Sequence, residues 1–369
     1  MNDDTGDTTG DTTGETTGET KRTESKNFHQ DRPGGYFTPK GIDRSAERHD
    51  RDALAANVRL LGDTLPAETR SGRPVSPRYF AEGPDSELHV GDCRDVLANL
   101  PQKGAVDLIF ADPPFNWDVP YAGWKDGMPR AAYERFTFDW LDLAVECLAP
   151  HGSLWVNVAD DMAAEVVMHL KRRKLALMNW CVWHFRFGHN RDTSFILAKT
   201  HALWFARDAE NTHWNPDAVL EPTDRSTLYG DSRTQTKMHG SQGMRVPFDV
   251  WYGPFWGRVH SKNSERRPLH QNQLPEVYLE RVILSTSRPG DLVVDPFAGS
   301  GTTGTVARAW NRRSTSIEIS EDLAASAWER ITKIGMIHQG RSRISFDTAK
   351  RAIQLFKLGS IDEADVSRE

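Results

Sequence analysis

Short apolar segments alternate with amphipathic segments along most of the chain, and this alternation constrains the fold more than any other feature. The apolar segments predict strands at 87–91, 105–111, 153–159, 291–295 and 314–320. The segments with helical spacing predict helices at 93–100, 131–148, 161–173, 275–287, 302–310 and 321–335. Strands that are apolar throughout and alternate with helices are typical of buried parallel sheets. The sequence therefore predicts an α/β fold.

The segment DLVVDPFAGSGTT, residues 291–303, runs from an apolar strand through a loop of small residues into a helix. Gly299 and Gly301 allow the backbone to approach a ligand closely, and the helix N-terminus offers unpaired N–H groups. Glu318 ends the next strand, where acids of nucleoside-binding folds accept hydrogen bonds from ribose. These residues predict a cofactor site. A tight strand-to-helix turn followed by an unrelated acid is the alternative interpretation.

The tetrapeptide Asp112-Pro113-Pro114-Phe115 follows directly after another apolar strand. Two consecutive prolines continue neither a helix nor a strand ladder, so the carboxylate and the carbonyl groups stay free at the end of the strand. Open α/β sheets bind their ligands at this edge. The tetrapeptide therefore predicts a reaction site, although a simple turn with a core phenylalanine would have the same sequence.

Together the two segments resemble the amino-methyltransferases of DNA, whose motifs are Asp/Asn/Ser-Pro-Pro-aromatic for catalysis and Asp-Pro-Phe-x-Gly-x-Gly for S-adenosylmethionine. GDCRDVLANL (91–100) and HQNQLPEVYLERVILSTSRPGD (270–291) resemble the same family. The catalytic motif precedes the cofactor motif, which is the permuted order of the family's β group. The resemblance covers 86–335. It implies a Rossmann-like methyltransferase fold with a mainly parallel, doubly wound sheet and an inserted target-recognition region.

The predicted organisation has six parts. Residues 4–20 repeat the tetrad Asp/Glu-Thr-Thr-Gly without large apolar residues, and such a stretch cannot offset the entropy of ordering. The parts are a disordered acidic Thr/Gly-rich tail (1–45), an N-terminal extension (46–85), a catalytic half (86–174), a target-recognition insertion (175–268), a cofactor-binding half (269–346), and a C-terminal helix and tail (347–369). Irregular strands and long loops are expected in the insertion.

The resemblance implies transfer of a methyl group from S-adenosylmethionine to the exocyclic amino group of a flipped-out base. In the catalytic motif, the carboxylate and the first proline carbonyl would accept the amine hydrogens, and the phenylalanine would stack on the base; the motif is Asp112, Pro113, Pro114 and Phe115. The residues that match cofactor-binding positions are Asp92, Asp295, Phe297, Gly299, Gly301, Thr302, Glu318, His270, Asn272 and Gln273. Gln271 and Leu274 depart from the family's Pro and Lys. An Asp in the first motif position implies adenine N6 and leaves cytosine N4 open.

The middle of the chain predicts double-stranded DNA as a partner. The whole chain carries a formal net charge of −6, but residues 171–270 hold 16 Lys/Arg against 9 Asp/Glu, a net of +7, together with 14 aromatic residues. Basic and aromatic side chains are what phosphate contacts and base stacking use. A solvated helix end and core tryptophans explain part of the same composition. The candidate contacts are Arg186, Arg191, Arg225, Arg233, Arg245, Arg258, Arg266 and Arg267.

Composition also predicts the cellular location of the protein and whether it binds a metal. The chain has no run of 18 apolar residues, an acidic start without an apolar core, and three widely separated cysteines. We therefore expect a cytoplasmic protein without a membrane partner. Cys181, His184 and His189 lack a fourth ligand at a zinc-like spacing, so no metal is expected. The resemblance leaves open a cognate restriction endonuclease and a homodimer.

Two other classes of protein fit some of the same residues. An NAD-dependent oxidoreductase would explain residues 299–304, which satisfy G-x-G-x-x-G, and the acid at Glu318. Only 65 residues follow Gly304, however, which leaves little room for the second half of a dinucleotide fold. A DNA-binding protein with an inactive methyltransferase domain is the other class, and the intact Asp112 speaks against it.

Overall fold

The computed structural model describes residues 75–121, 123–185, 188, 190–222, 244–252, 259, 265–270 and 272–333. The predicted acidic tail, most of the N-terminal extension and the segment 347–369 lie outside these residues. None of the helices in the described ranges is both long and apolar enough to cross a membrane.

A large, mostly parallel sheet forms the centre of the described structure. The strands are β1 (Tyr79–Ala81), β2 (Ser86–Val90), β3 (Val106–Ala111), β4 (Leu148–Val158), β5 (Ala176–His184), β6 (Lys199–Ala206), β7 (Glu221–Pro222), β8 (Met244–Arg245), β9 (Val250–Trp251), β10 (Leu292–Asp295) and β11 (Arg313–Glu318). The order in the sheet is β1-β2-β11-β10-β3-β4-β6-β5-β9, while β7 and β8 form a separate antiparallel pair. Neighbours from β2 to β4 run parallel, and β6 runs antiparallel to both β4 and β5.

Helices cover both faces of this sheet. They are α1 (Cys93–Asn99), α2 (Arg130–Cys147), α3 (Asp160–Arg172), α4 (Glu276–Thr286), α5 (Thr302–Ala309) and α6 (Glu321–Thr332). Because successive side chains of a strand point to opposite faces, Ile109 of β3 packs with α1 to α3, whereas Leu108 and Phe110 pack with α4 and α5. The predicted α/β, mainly parallel and doubly wound fold is confirmed.

The expectation of irregular strands from residue 175 onward is wrong for β5 and β6. These two strands pair along most of their length and extend the central sheet beyond β4. Leu203 and Phe205 pack against one face of the core, and Ala202 and Trp204 pack against the other. β6 is buried along nearly its whole length, whereas β5 is mostly half-buried or exposed. The polar, basic and aromatic residues within and around the two strands concealed them in the sequence.

Two smaller boundaries also differ from the sequence prediction. β1 lies within the predicted N-terminal extension and pairs antiparallel with β2, so this part of the extension belongs to the sheet. β4 starts at Leu148, directly after α2, instead of at Ser153. The pairing of β3 with β4 shifts register between Val106 and Leu108, opposite the stretch that contains Pro150 and Gly152.

Candidate active site

The two predicted motifs lie side by side at one edge of the sheet. β3 and β10 are parallel neighbours, with Leu108 opposite Val293, so both strands end at the same edge. Asp112 directly follows β3, and Asp295 is the last residue of β10. A cavity of about 1560 Å³ opens at this edge. Its lining includes all the predicted catalytic and cofactor residues except Gly301: Asp92, Asp112, Pro113, Pro114, Phe115, His270, Asn272, Gln273, Asp295, Phe297, Gly299, Thr302 and Glu318.

The carboxylate of Glu318 holds the glycine loop in place. Its Oε2 accepts the backbone N–H of Gly299 at 2.9 Å, and its Oε1 accepts the N–H of Ser320 at 3.0 Å. Gly299 and Gly301 both have left-handed backbone conformations, with φ of 50° and 71°, which glycine adopts without strain. Each carboxylate oxygen can accept more than one hydrogen bond, so Glu318 can support the loop and still bind a ligand.

The two glycines are required for different reasons. A Cβ at Gly299 would lie 3.8 Å or more from its neighbours, Phe297 and His270, in the cavity. A Cβ at Gly301 would lie only 3.0 Å from the Cβ and the backbone oxygen of Ala327 in α6. Gly299 therefore lines the cavity, where a side chain would meet open space, whereas Gly301 serves the packing of α6.

Arg330, which sequence reasoning missed, fixes the other side of the glycine loop. Its guanidinium is fully buried and donates to the hydroxyl of Thr302 at 2.7 Å and to Ser300 at 3.2 Å. It also donates to Glu276 at the start of α4, at 2.6 Å. Since a buried guanidinium is stable only when it is paired, Arg330 ties the loop, α4 and α6 into one unit. A lone arginine in the last turn of a helix carried no sequence signal for this role.

Asn157 at the end of β4 positions the Asp112 carboxylate. Its side-chain amide donates to Asp112 Oδ1 at 2.7 Å, and both residues line the cavity. Burial raises the pKa of Asp112 to about 7, with a further contribution from the nearby charge of Asp295, while the Asn157 hydrogen bond acts in the opposite direction. The hydroxyl of Tyr133 donates to the Pro114 carbonyl at 2.8 Å and orders the same turn. Sequence reasoning missed Asn157 because it ends a strand far from either motif.

Two buried carboxylates, Asp295 and Glu318, share the cavity with the half-buried Asp112, and no cationic partner lies among the described residues. Burial raises the pKa of Asp295 to about 7, Glu318 adds to that shift by repulsion, and burial also raises the pKa of Glu318 itself. Within the described ranges, no Lys or Arg forms an ion pair with either of them or with Asp112. Unpaired buried carboxylates are unfavourable in the free protein, so this cavity favours a cationic ligand.

Three further predicted cofactor residues form hydrogen bonds within the protein. Asp92 caps α1, and both of its oxygens accept hydrogen bonds from Arg94. Gln273 is buried and bonds to the backbone of Arg267 and Glu265. Asn272 donates to the Tyr121 hydroxyl at 3.3 Å. Their side chains therefore already have structural partners.

His270 is the exception among these residues. Its Nε2 is buried and has no hydrogen-bond partner among the described residues, which is unfavourable unless a ligand supplies one. Burial lowers the pKa of His270 to about 4, and the positive charges of Arg330, Arg266 and Arg267 lower it further. The ring is therefore neutral near pH 7, and its Nδ1 lies 4.0 Å from where a Cβ at Gly299 would stand.

The predicted DNA-contacting arginines are only partly within the described residues. Arg191 lines the cavity, whereas Arg245 pairs with Glu221 and lies over the ring of Phe248. Arg266 donates to the Val259 carbonyl at 3.5 Å, and neither it nor Arg267 lines the cavity. The structure does not describe Arg186, Arg225, Arg233 and Arg258. No three His, Cys, Asp or Glu side chains converge as metal ligands in the described part of the chain.

Comparison with known proteins identifies the family. The profile of a family described as DNA methylase matches residues 106–329. The chain is 31% identical over 305 residues to the DNA adenine methyltransferase YhdJ of Escherichia coli, an alignment that covers 78% of this chain and 96% of that protein. It is 29% identical to the type II methyltransferase M.HpaI of Haemophilus parainfluenzae, over 67% of this chain and 74% of the relative.

The solved structure of the PvuII DNA methyltransferase, which is cytosine-N4-specific, shares the fold with a TM-score of 0.50 at 17% identity, over 72% of this chain and 93% of that one. The chain belongs to the DNA methylase family, and the resemblance found in the sequence is confirmed. It is an S-adenosylmethionine-dependent methyltransferase whose substrate is DNA. This assignment replaces the oxidoreductase and the inactive-domain alternatives.

The different surroundings of the glycines predict different effects of substitution. We expect Gly301→Ala to destabilise the protein by the cost of a left-handed alanine, about 1–2 kcal/mol, plus about 1–3 kcal/mol of overpacking against Ala327. Gly104→Ala is the matched control, because Gly104 has the same φ of 71° and nothing within 4 Å of the added Cβ. Urea denaturation of the ligand-free protein measures both. Equal losses in the two variants would contradict the packing argument.

Proposed function

We propose that the enzyme methylates the exocyclic N6 of adenine in double-stranded DNA. The observation that carries this proposal is the half-buried Asp112 carboxylate, whose Oδ1 is held by Asn157 in the cavity that also contains the glycine loop. The second oxygen, Oδ2, then serves an amine hydrogen of the substrate. Two further points support adenine: the Asp in the first motif position, and the name of the Escherichia coli relative, a DNA adenine methyltransferase.

The chemistry explains why an acceptor group is needed beside the cofactor. An exocyclic amine is a weak nucleophile because its lone pair is delocalised into the ring. Asp112 and the Pro113 carbonyl would each accept one amine hydrogen, which directs the lone pair toward the methyl group and stabilises the positive charge that develops on nitrogen. The nitrogen must lose a proton for the methyl group it gains, and the ionised Asp112 would accept that proton.

Access to the amine requires the base to leave the duplex. A base inside the helix is unreachable, so enzymes of this kind rotate it into a pocket, where an aromatic face replaces the lost stacking. Phe115 lines the cavity next to Asp112 and contacts Trp117 edge to face at 5.1 Å. We assign Phe115 the role of stacking on the flipped base, a contact worth roughly 1–3 kcal/mol.

The cofactor residues fit the charge and shape of S-adenosylmethionine, which supplies an electrophilic methyl group when bound. Asp295 and Glu318 would face its positive charges, and Glu318 would also accept hydrogen bonds from ribose. The buried free nitrogen of His270 would meet the amino-acid portion. Phe297, held edge to face by Trp140 at 5.1 Å, Gly299 and Thr302 would form the wall of this subsite.

Cytosine N4 is the second candidate target, because a cytosine presents the same kind of amine. The nucleoside composition of DNA from a host that expresses the chain decides between the two. We expect N6-methyladenine and no N4-methylcytosine by mass spectrometry. Sequencing of the same DNA identifies the methylated site. A product that contains only N4-methylcytosine would contradict the adenine assignment, and the absence of either product would contradict the proposed reaction.

Substitution of Asp112 tests its role. We expect the Asp112→Ala variant to lose methyl transfer and to keep its affinity for the cofactor. The reason is that the carboxylate acts on the amine and not on the methyl donor. Turnover with labelled cofactor and equilibrium binding are measured on one preparation. A loss of affinity as large as the loss of rate would assign Asp112 to the cofactor subsite.

The pH dependence of the reaction follows from the pKa of Asp112. Because the ionised form accepts hydrogen bonds and its pKa is about 7 in the free protein, we expect kcat/KM, which reports groups of the free enzyme, to rise as the pH increases through 7. Asn157→Leu removes a charge-assisted hydrogen bond worth about 1.5–3 kcal/mol. The acid limb of the profile should therefore move to higher pH by about 1 to 2 units.

Ser153→Ala is the control for this experiment. Ser153 lies on the same strand, is buried, and accepts a hydrogen bond from Trp204 at 3.0 Å. Its loss should lower stability without moving the pH profile. If the profiles of wild type and Asn157→Leu have the same acid limb, Asn157 does not tune Asp112.

Cofactor binding should release protons near pH 7. Positive charge beside Asp295 favours its ionised form, so binding lowers a pKa that starts at about 7. We expect the affinity for S-adenosylmethionine to increase from pH 6 to pH 8, and to increase less for S-adenosylhomocysteine, which lacks the sulfonium charge. Calorimetry in two buffers of different ionisation enthalpy counts the protons. Equal pH dependence for the two ligands would contradict the charge argument.

Other expectations stay predictions. The division into a catalytic half, a target-recognition insertion and a cofactor-binding half follows the family resemblance. So do a cognate restriction endonuclease and a homodimer. The cytoplasmic location rests on the DNA substrate and on three cysteines, all of which are free and buried.

A further inference from the structure

The described residues of the connection between β5 and β6, which are 185, 188 and 190–198, lie beside the candidate active site. His184 and Lys199 face each other at its base, and His201 of β6 pairs with Val158 at the end of β4. The connection therefore leaves the sheet at the edge where Asp112 and Asp295 lie. Five of its described residues line the cavity: Phe185, Gly188, Arg191, Ser194 and Leu197.

Phe195 in this connection is exposed to an unusual degree. Its side chain is 95% exposed, although Ser194 and Leu197 on either side line the cavity. The adjacent Ile196 is also exposed. A phenyl ring in water forfeits most of the free energy it would gain by burial, and exposed apolar groups beside a binding site mark contacts with a partner.

The substrate identifies that partner as the DNA duplex. A base that leaves the helix opens a gap in the stack, and proteins that deform DNA fill such gaps with apolar side chains. Arg191, four residues before Phe195, lines the cavity and supplies a positive charge for a nearby phosphate. An aromatic ring at the rim of the pocket and a cation on the same connection match what a duplex with one flipped base presents.

We propose that Phe195 is a wedge that enters the base stack at the place vacated by the target base and stabilises the flipped state. This inference rests on the proposed methylation of a flipped base. The wedge acts on the duplex rather than on the reacting amine. Its importance should therefore depend on how strongly the target base is paired.

The test uses the full chain and short duplexes that contain the methylation site found by sequencing. One duplex is fully paired, and the other has an abasic position opposite the target base, which weakens the pairing that flipping must break. We expect Phe195→Ala to lower kcat/KM on the paired duplex by roughly 5-fold to 150-fold, the equivalent of one stacked base. On the abasic duplex its rate should return to within a few-fold of wild type. Phe195→Trp should stay active on both.

Phe80→Ala is the matched control, because Phe80 is also an exposed phenylalanine but lies on the edge strand β1, outside the cavity lining. It should behave like wild type. Asp112→Ala should be inactive on both duplexes. This result separates the role of Asp112 in the reaction from the role of Phe195 in opening the base stack. A wild-type enzyme that methylates neither duplex would overturn the proposed function itself.

Three results would overturn the wedge alone. Phe195→Ala that matches wild type on the paired duplex would show that the ring is dispensable. An equal loss on both duplexes would mean that Phe195 contributes general affinity instead of opening the stack. A change of oligomeric state in light scattering, with unchanged activity per site, would assign the ring to contacts between copies of the chain.

Discussion

Parallel pairing of β3 with β10 is the constraint on which the site depends. The two strands are far apart in sequence. Each is followed by a short motif that does not by itself form an active site. Pairing them in parallel brings the carboxylate of Asp112 and the glycine loop after Asp295 to one edge of the sheet. A methyl acceptor and a methyl donor can then meet in one cavity without any movement of the sheet. The permuted order of the motifs is compatible with this because neighbouring strands need not be consecutive in the chain.

This arrangement brings three carboxyl groups together in one cavity, which disfavours their ionised forms. The pKa values of Asp112, Asp295 and Glu318 are raised because burial disfavours their charge, and repulsion from Asp295 on Asp112 and from Glu318 on Asp295 adds to the shift. Backbone N–H groups and the Asn157 amide stabilise the ionised forms only in part. A cationic cofactor would supply the missing positive charge, so the same electrostatics that weaken the free protein favour the bound complex.

Buried hydrogen bonds hold the glycine loop and the turn after β3, which border the open cavity. Arg330 connects the glycine loop to α4 and α6 through buried hydrogen bonds, and Gly301 lets α6 approach the loop closely. On the acceptor side, Asn157 and Tyr133 hold the turn after β3. The β5–β6 connection stands at the mouth of the cavity and carries the exposed Phe195. The site therefore combines a hydrogen-bonded floor with a connection beside the cavity that carries aromatic and basic side chains.

The sequence by itself determined the fold class, the family and the candidate motif residues. Apolar strands alternate with helices, and strand ends carry short motifs whose chemistry is local, so these features can be read without long-range contacts. β5 and β6 escaped prediction because polar, basic and aromatic residues interrupt or surround their apolar positions, and β4, the strand with which β6 pairs, is distant in sequence. Asn157 and Arg330 escaped it because their roles depend on partners 45 and 28 residues away, Asp112 and Thr302. Only the tertiary structure decided which oxygen of Asp112 is engaged, that Gly301 serves packing, and that Phe195 is exposed, since burial and hydrogen-bond geometry arise from contacts between distant segments.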